Sequence, residues 1–123
     1  MTAAVIATVI VAGALAAAAR FLVAKAFANS RFPWAVLVVN VVASGIGGAV
    51  LALAERADVS SDVQLILLTG LCGGLSTFST FSVETIQFIV DGELAVAVRS
   101  VLANLVLGIG AAAAAYGLVL LLG

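Results

Sequence analysis

The chain alternates long apolar stretches with short polar connections. Four stretches carry no charged residue, at 1–19, 32–54, 63–83 and 100–123. Each is near or above the roughly 20 residues that cross a bilayer as an α-helix. The pattern predicts an all-α membrane protein with four transmembrane helices at about 3–24, 32–54, 63–90 and 98–122, in a single domain over residues 1–123.

Local signals predict where some of these helices begin. Pro33 suits a first helical turn, and Trp34 suits the membrane interface. Ser60 and Ser61, followed by Asp62, form an N-cap signal that places the start of the third span near Ser61. Since no Lys or Arg precedes the first apolar run, we expect it to be a retained packing helix and not a cleaved signal peptide.

Composition removes several function classes. The chain is 65% hydrophobic and 9% charged, which leaves no room for a soluble domain. A net charge of −1 argues against nucleic acid as a partner and against a polybasic lipid anchor. Without histidine and with one cysteine, there is no basis for a zinc, haem or imidazole-based catalytic site, and Cys72 is interpreted as a packing residue.

The distribution of positive charge gives a weak orientation signal. With antiparallel neighbouring spans, Arg20, Lys25, Arg31 and Arg99 share one side of the membrane, and Arg56 lies on the other. The positive-inside rule then favours both termini outside the cytoplasm. Because Arg20 and Arg99 stand at span edges, where other roles are open to them, this bias is small. Four helices also offer too little lateral surface to enclose a conducting path, so we expect an oligomer.

The third span contains a polar interruption, "GGLSTFSTFS" at 73–82. Glycines lower helix propensity, and hydroxyl side chains compete for backbone hydrogen bonds. The stretch therefore predicts a break in the third helix. Two interpretations stay open at this point: freed carbonyl groups that bind a cation, or small residues that only let helices pack closely.

The longer stretch "GGLSTFSTFSVE" closely resembles the signature of the CrcB/Fluc fluoride channel family, whose usual form reads "CGGxTTFSTF". In the second span, "FPWAVLVVNVVAS" is similar to the family's "FPxGTLxVNxxGS". An arginine at the end of the first span and the four-span layout agree with it. The resemblance implies a fluoride-selective ion channel that exports fluoride passively across the plasma membrane of a prokaryote, lowering cytoplasmic fluoride without catalysing a reaction.

The resemblance also implies an assembly. Members of the family are antiparallel, dual-topology dimers of four-helix subunits in membrane lipid, with two fluoride pathways and a structural Na⁺ at the dimer centre. Carried onto this chain, the Na⁺ ligands are the main-chain carbonyls of Gly73 and Ser76 from both subunits. Threonine is commoner than serine at the second position, but a carbonyl ligand does not depend on the side chain.

Pore residues follow from the same resemblance. Asn40 matches an asparagine whose amide N–H groups can replace water around fluoride, and Phe78 and Phe81 match paired phenylalanines whose positive ring edges can face an anion. Ser79 and Thr80 match hydroxyl positions near the path, with Thr80 favoured. From the residues alone, Asn40 equally fits an interhelical hydrogen-bonding role, and the phenylalanines fit ordinary packing.

Four further polar positions are assigned from the family. Arg20 matches an arginine that attracts anions to the entrance vestibule, although a snorkelling interface residue fits as well. Glu84 matches an acid near the pore, and its role is left open. Ser100 and Asn104 continue a polar track along the fourth span, where the tyrosine of many relatives is missing. Asn104 can still donate hydrogen bonds, so two outcomes stay open: the track survives in altered form, or one pathway is weakened. The missing tyrosine keeps a heterodimer with a homologous subunit open beside the homodimer.

Two other classes of membrane protein fit the sequence less well. A small four-helix proton-coupled exporter needs a carboxylate within the first span, and residues 1–19 contain none. A non-conducting packing protein explains the small residues and predicts no ion flux, but it gives Asn40, Phe78 and Phe81 no purpose.

Overall fold

The computed structural model describes residues 2–123 and is built from helices. Four helical spans are long and apolar enough to cross a membrane: Ala3–Ala26, Trp34–Glu55, Ser61–Val90 and Leu94–Leu122. The third is interrupted near its middle. The prediction of an all-α membrane protein with a broken third helix is confirmed.

The third span consists of several short pieces. It begins as α3 (Ser61–Leu65), continues through a π-helical segment (Ile66–Cys72) and a last turn, α4 (Gly73–Leu75), and resumes as α5 (Phe78–Val90). We number the first two spans α1 (Ala3–Ala26) and α2 (Trp34–Glu55), and the last span α6 (Leu94–Leu122).

The helix starts agree with the capping signals. The side chain of Ser60 accepts a hydrogen bond from the Val63 amide at 3.2 Å, so α3 begins at Ser61 as predicted. Pro33 directly precedes α2, where its missing N–H leaves no donor unpaired. Arg31 and Glu93 form an ion pair at 3.2 Å, which places the α1–α2 and α5–α6 connections at the same end of the bundle.

The subunit is organised around α2. In the apolar stretch of α2, 39% of the residues are buried, against 6% in α1 and in α6. α2 packs mainly on α6, whereas α1 packs on the π-helical segment and α4. Large apolar side chains stay exposed along α1 and α6, as expected for helices that face lipid or a second subunit.

Two glycines allow the closest helix contacts. A Cβ added at Gly48 would overlap the backbone of Ala112 in α6, only 2.9 Å from its Cα. A Cβ added at Gly74 would lie 2.9 Å from the Cα of Gly13 in α1. Both distances are shorter than a van der Waals contact, so these helices could pack as they do only with glycine at each position.

We expect Gly48→Ala to destabilise the fold by about 1–3 kcal/mol, because the added methyl must push α6 away from α2. Thermal unfolding in detergent measures this, with Gly110→Ala as the matched control. In the described chain, a Cβ at Gly110 meets no heavy atom within 4 Å. Equal melting temperatures for the two variants would contradict the close α2–α6 packing.

Candidate functional site at the break in the third span

The helix is broken at two residues with extended backbone, Ser76 and Thr77. Thr77 then starts α5 as its N-cap, since its hydroxyl accepts a hydrogen bond from the Thr80 amide at 3.2 Å. In an uninterrupted helix the Thr77 amide would donate to the carbonyl of Gly73. Here the Thr77 amide donates to a side chain, so the Gly73 carbonyl loses its helical hydrogen bond.

The backbone of Thr77 pairs instead with the side chain of Asn40 from α2. The Thr77 N–H donates to Asn40 Oδ1 at 2.8 Å, and Asn40 Nδ2 donates to the Thr77 carbonyl at 3.2 Å. Thr77 is buried, with 7% of its surface exposed. A single side-chain amide therefore satisfies both backbone polar groups of a buried residue at membrane depth, where an unpaired group is costly.

The second N–H of Asn40 is also engaged. Asn40 Nδ2 donates to Asn104 Oδ1 at 3.2 Å, and Asn104 Nδ2 donates to the carbonyl of Ser100 within α6 at 2.8 Å. An amide has two N–H donors, so both donors of Asn40 have acceptors within the subunit. Asn40 can offer an N–H to an anion only when one of these acceptors is displaced.

Arg20 reaches the break from the end of α1. Its Nη1 donates to the carbonyl of Ser76 at 3.1 Å. Arg20 also lines a cavity of about 260 Å³ together with Thr77, Thr80 and Glu84. The sequence placed Arg20 in an entrance vestibule, and the structure adds a direct contact with the broken backbone.

Glu84 faces the same cavity as Arg20. Its Oε2 is buried and has no hydrogen-bond partner within residues 2–123. The cavity thus holds one positive and one negative side chain at its walls.

A second cavity, of about 350 Å³, also borders the break, through Ser76 and Thr77. Its polar wall includes Asn40 and Asn104, and its aromatic wall is formed by Phe78 and Phe81. The centroids of the two rings are 6.3 Å apart, and the ring planes are tilted by 44° relative to each other. Phe78 is 81% exposed, so this cavity opens sideways from the subunit. Thr77 lines both cavities.

Other predicted site residues lie outside these two cavities. Gly73 and Ser79 are exposed, and Ser79 Oγ lies 3.4 Å from Thr77 Oγ1. Ser100 is buried, with 2% of its surface exposed, and its carbonyl accepts a hydrogen bond from Asn104.

Sequence reasoning missed Thr77. A hydroxyl residue directly before an aromatic-rich helical turn is an N-cap signal that could have identified it.

The main-chain donors at the break are of the kind that hard cations prefer. Main-chain carbonyl oxygens are neutral, hard ligands, and no group of His, Cys, Asp and Glu side chains in residues 2–123 could hold a metal ion. The Gly73 carbonyl has lost its helical donor. The Ser76 carbonyl uses one lone pair for Arg20 and keeps a second. These two carbonyls therefore fit Na⁺ better than a transition metal.

The fold and this site define a class: a small multi-pass membrane protein whose third span is broken, with side chains from the other three spans directed at the break. Comparisons with known proteins agree. Residues 7–118 match the model of the family described as "CrcB-like protein, Camphor Resistance (CrcB)". The chain belongs to this family.

Curated relatives give the same result. A protein of Idiomarina loihiensis named "Fluoride-specific ion channel FluC" is 42% identical over 110 residues, covering 87% of this chain and 85% of that protein. Proteins of the same name from Nitrobacter winogradskyi and Agrobacterium fabrum are 39% and 37% identical. Their alignments cover 80% and 86% of this chain, and 82% and 88% of those proteins.

Proposed function

We propose that this chain forms a fluoride-selective channel that lets fluoride leave the cell passively. The observation that carries the proposal is the cavity in which the Asn40 amide faces two phenylalanine rings beside a break in the helix. The names of relatives at about 40% identity support the same ion. No reaction is catalysed, since the membrane potential and the fluoride gradient supply the driving force.

The cavity chemistry suits a small anion that must exchange water for protein donors. Fluoride is a strong hydrogen-bond acceptor, and amide and hydroxyl donors can replace its hydration shell. Ring edges present a partial positive charge without a full one. This balance favours entry without trapping the ion, whereas a lysine or arginine in the same wall would hold it. Arg20, at the other cavity, raises the local concentration of anions.

The working unit in this proposal is an antiparallel dimer. The cavity that holds Phe78 and Phe81 is open to one side of the subunit, and Phe78 is 81% exposed. A second, inverted subunit would close this opening, with lipid around the outer faces. The partner is another copy of this chain or a homologous subunit. The location is the plasma membrane of a prokaryote, where such a dimer exports fluoride.

Na⁺ is the proposed structural ion of this dimer. The carbonyls of Gly73 and Ser76 would hold it, two from each subunit. When bound, the ion supplies a positive charge at the centre of the assembly, which offsets part of the cost of a nearby anion. The released carbonyl of Gly73 supports this assignment.

The proposed function is tested by fluoride efflux from liposomes that contain this purified chain alone. We expect fast efflux on addition of a potassium ionophore, because an anion channel is electrogenic and stops once charge builds up. A fluoride electrode follows the release. Liposomes loaded with chloride are the control for selectivity.

Three outcomes separate the candidate functions. Ionophore-dependent fluoride efflux without chloride efflux is the expected result. Efflux driven by a proton gradient without the ionophore would replace the channel with a proton-coupled exporter. A folded chain that releases no fluoride would contradict a self-sufficient channel, and co-expression with a homologous subunit would then test the heterodimer.

The assembly and the ion are tested together by measuring mass and melting temperature in detergent. We expect the mass of a dimer and a melting temperature several degrees higher in NaCl than in choline chloride, because Na⁺ binds only the assembled state. A monomer in both salts would contradict the dimer. A dimer with equal melting temperatures in the two salts would contradict the Na⁺ site.

A further inference from the structure

The hydrogen bond between Asn40 and Asn104 has a fixed direction. Asn40 uses Oδ1 for the Thr77 N–H, so its Nδ2 must donate. Asn104 uses its own Nδ2 for the Ser100 carbonyl, which turns Oδ1 toward Asn40 at 3.2 Å. Asn104 therefore presents an acceptor to Asn40 inside the cavity that also holds Phe78 and Phe81.

The two N–H groups of Asn40 differ in how readily each can give up its present acceptor. One is bonded to the carbonyl of Thr77, and losing that bond would leave a buried backbone group unpaired at the helix break. The other is bonded to Asn104 Oδ1, a side-chain atom whose departure leaves no backbone group at the break unpaired. If the Asn104 side chain moves, the Ser100 carbonyl loses the donor Nδ2 but keeps its place in the hydrogen bonds of α6. Only the second N–H is available to an incoming anion.

We propose that the amide oxygen of Asn104 occupies the place of the transported anion at Asn40, and that fluoride exchanges with it during conduction. This inference rests on the proposed fluoride channel function. The exchange replaces one acceptor with another, so the Asn40 N–H is paired before the ion arrives, while it is bound and after it leaves. Asn104 thereby sets how tightly fluoride binds, because the ion competes with its oxygen.

Substitutions at Asn104 test this competition by moving fluoride affinity in opposite directions. Asn104→Leu removes the competing oxygen, and we expect the half-saturating fluoride concentration for efflux to fall roughly fivefold, the equivalent of one ordinary hydrogen bond. Asn104→Asp supplies a stronger, charged acceptor and should raise that concentration at least about fivefold. Asn29→Leu, the same chemical change in an exposed loop, should leave it unchanged.

A direct observation of the hydrogen bond covers the case in which Asn104→Leu does not fold. The chain has three asparagines, Asn29, Asn40 and Asn104, so ¹⁵N-asparagine labelling gives three side-chain NH₂ signals. Titrating the wild-type protein with sodium fluoride should shift the Asn40 signal and leave that of Asn29 in place. Asn29→Leu identifies the reference signal, Asn104→Asp identifies that of Asn104, and the remaining signal is that of Asn40. Sodium chloride is the control salt.

The outcomes distinguish this inference from the proposed function. A wild-type chain that passes no fluoride overturns the function, and the inference with it. A wild-type chain that conducts, with half-saturation unchanged in both Asn104 variants, overturns the inference alone. So does an Asn40 signal that stays fixed at fluoride concentrations that saturate efflux.

Discussion

Asn40→Asp is expected to lower fluoride efflux at least about a hundredfold. The carboxylate keeps the acceptor for the Thr77 amide but loses both N–H donors, so the Thr77 carbonyl and Asn104 Oδ1 each face a negative oxygen. The lost hydrogen bond from the amide to fluoride has a charged acceptor, and such a bond is worth about 1.5–3 kcal/mol, which corresponds to this factor. The negative charge also repels the anion itself.

The measurement is ionophore-driven efflux from liposomes at matched protein content, with Asn29→Asp as the control. Asn29 lies in the exposed α1–α2 loop, so that variant should conduct like the wild type. Melting temperatures of both variants separate loss of conduction from loss of the fold. Efflux of Asn40→Asp within a factor of two of the wild type would contradict a role of this amide in conduction.

Phe81→Ile is expected to reduce fluoride efflux about tenfold while leaving the fold intact. Isoleucine is also large and apolar, so most of the packing is kept, but the positive edge of the aromatic ring is lost. Phe81 and Phe78 line the same cavity, and their ring centroids are 6.3 Å apart. In the variant, the ring of Phe78 alone faces the ion. The energy of an interaction with an aromatic ring edge is large enough to account for a tenfold change in efflux.

Phe88→Ile is the matched control for this second prediction, since Phe88 lies two turns further along α5 and outside that cavity. It should change efflux by less than twofold. Equal efflux from Phe81→Ile and the wild type would show that the phenylalanines serve packing only, the alternative that the residue spacing itself left open.

The sequence was sufficient to predict the four spans and the break in the third. Four runs without charge marked the spans, and the signal at Ser60 and Ser61 gave the start of the third. The glycines and hydroxyls at 73–82 predicted a break, which falls at Ser76 and Thr77. These features are local, because helix propensity and capping depend on residues that are close in sequence.

The partners of the break could not be predicted in the same way. Arg20 and Asn40 lie 56 and 37 positions away from the carbonyls they bind, so their contacts depend on how α1 and α2 pack against the third span. The π-helical segment at Ile66–Cys72 gave no signal either, because its residues read as an ordinary apolar helix. The assignment of Asn40 to a pore came from family resemblance, while its pairing with Thr77 came from the fold.

The meeting of all four spans at one peptide also has a consequence for biosynthesis. Arg20 of α1, Asn40 of α2 and Asn104 of α6 converge, directly or through one another, on Ser76 and Thr77. During synthesis α6 is made after the other three spans, so the second N–H of Asn40 has no acceptor from Asn104 until α6 enters the membrane. The entry of α6 after the other three spans thus completes the polar centre of the bundle.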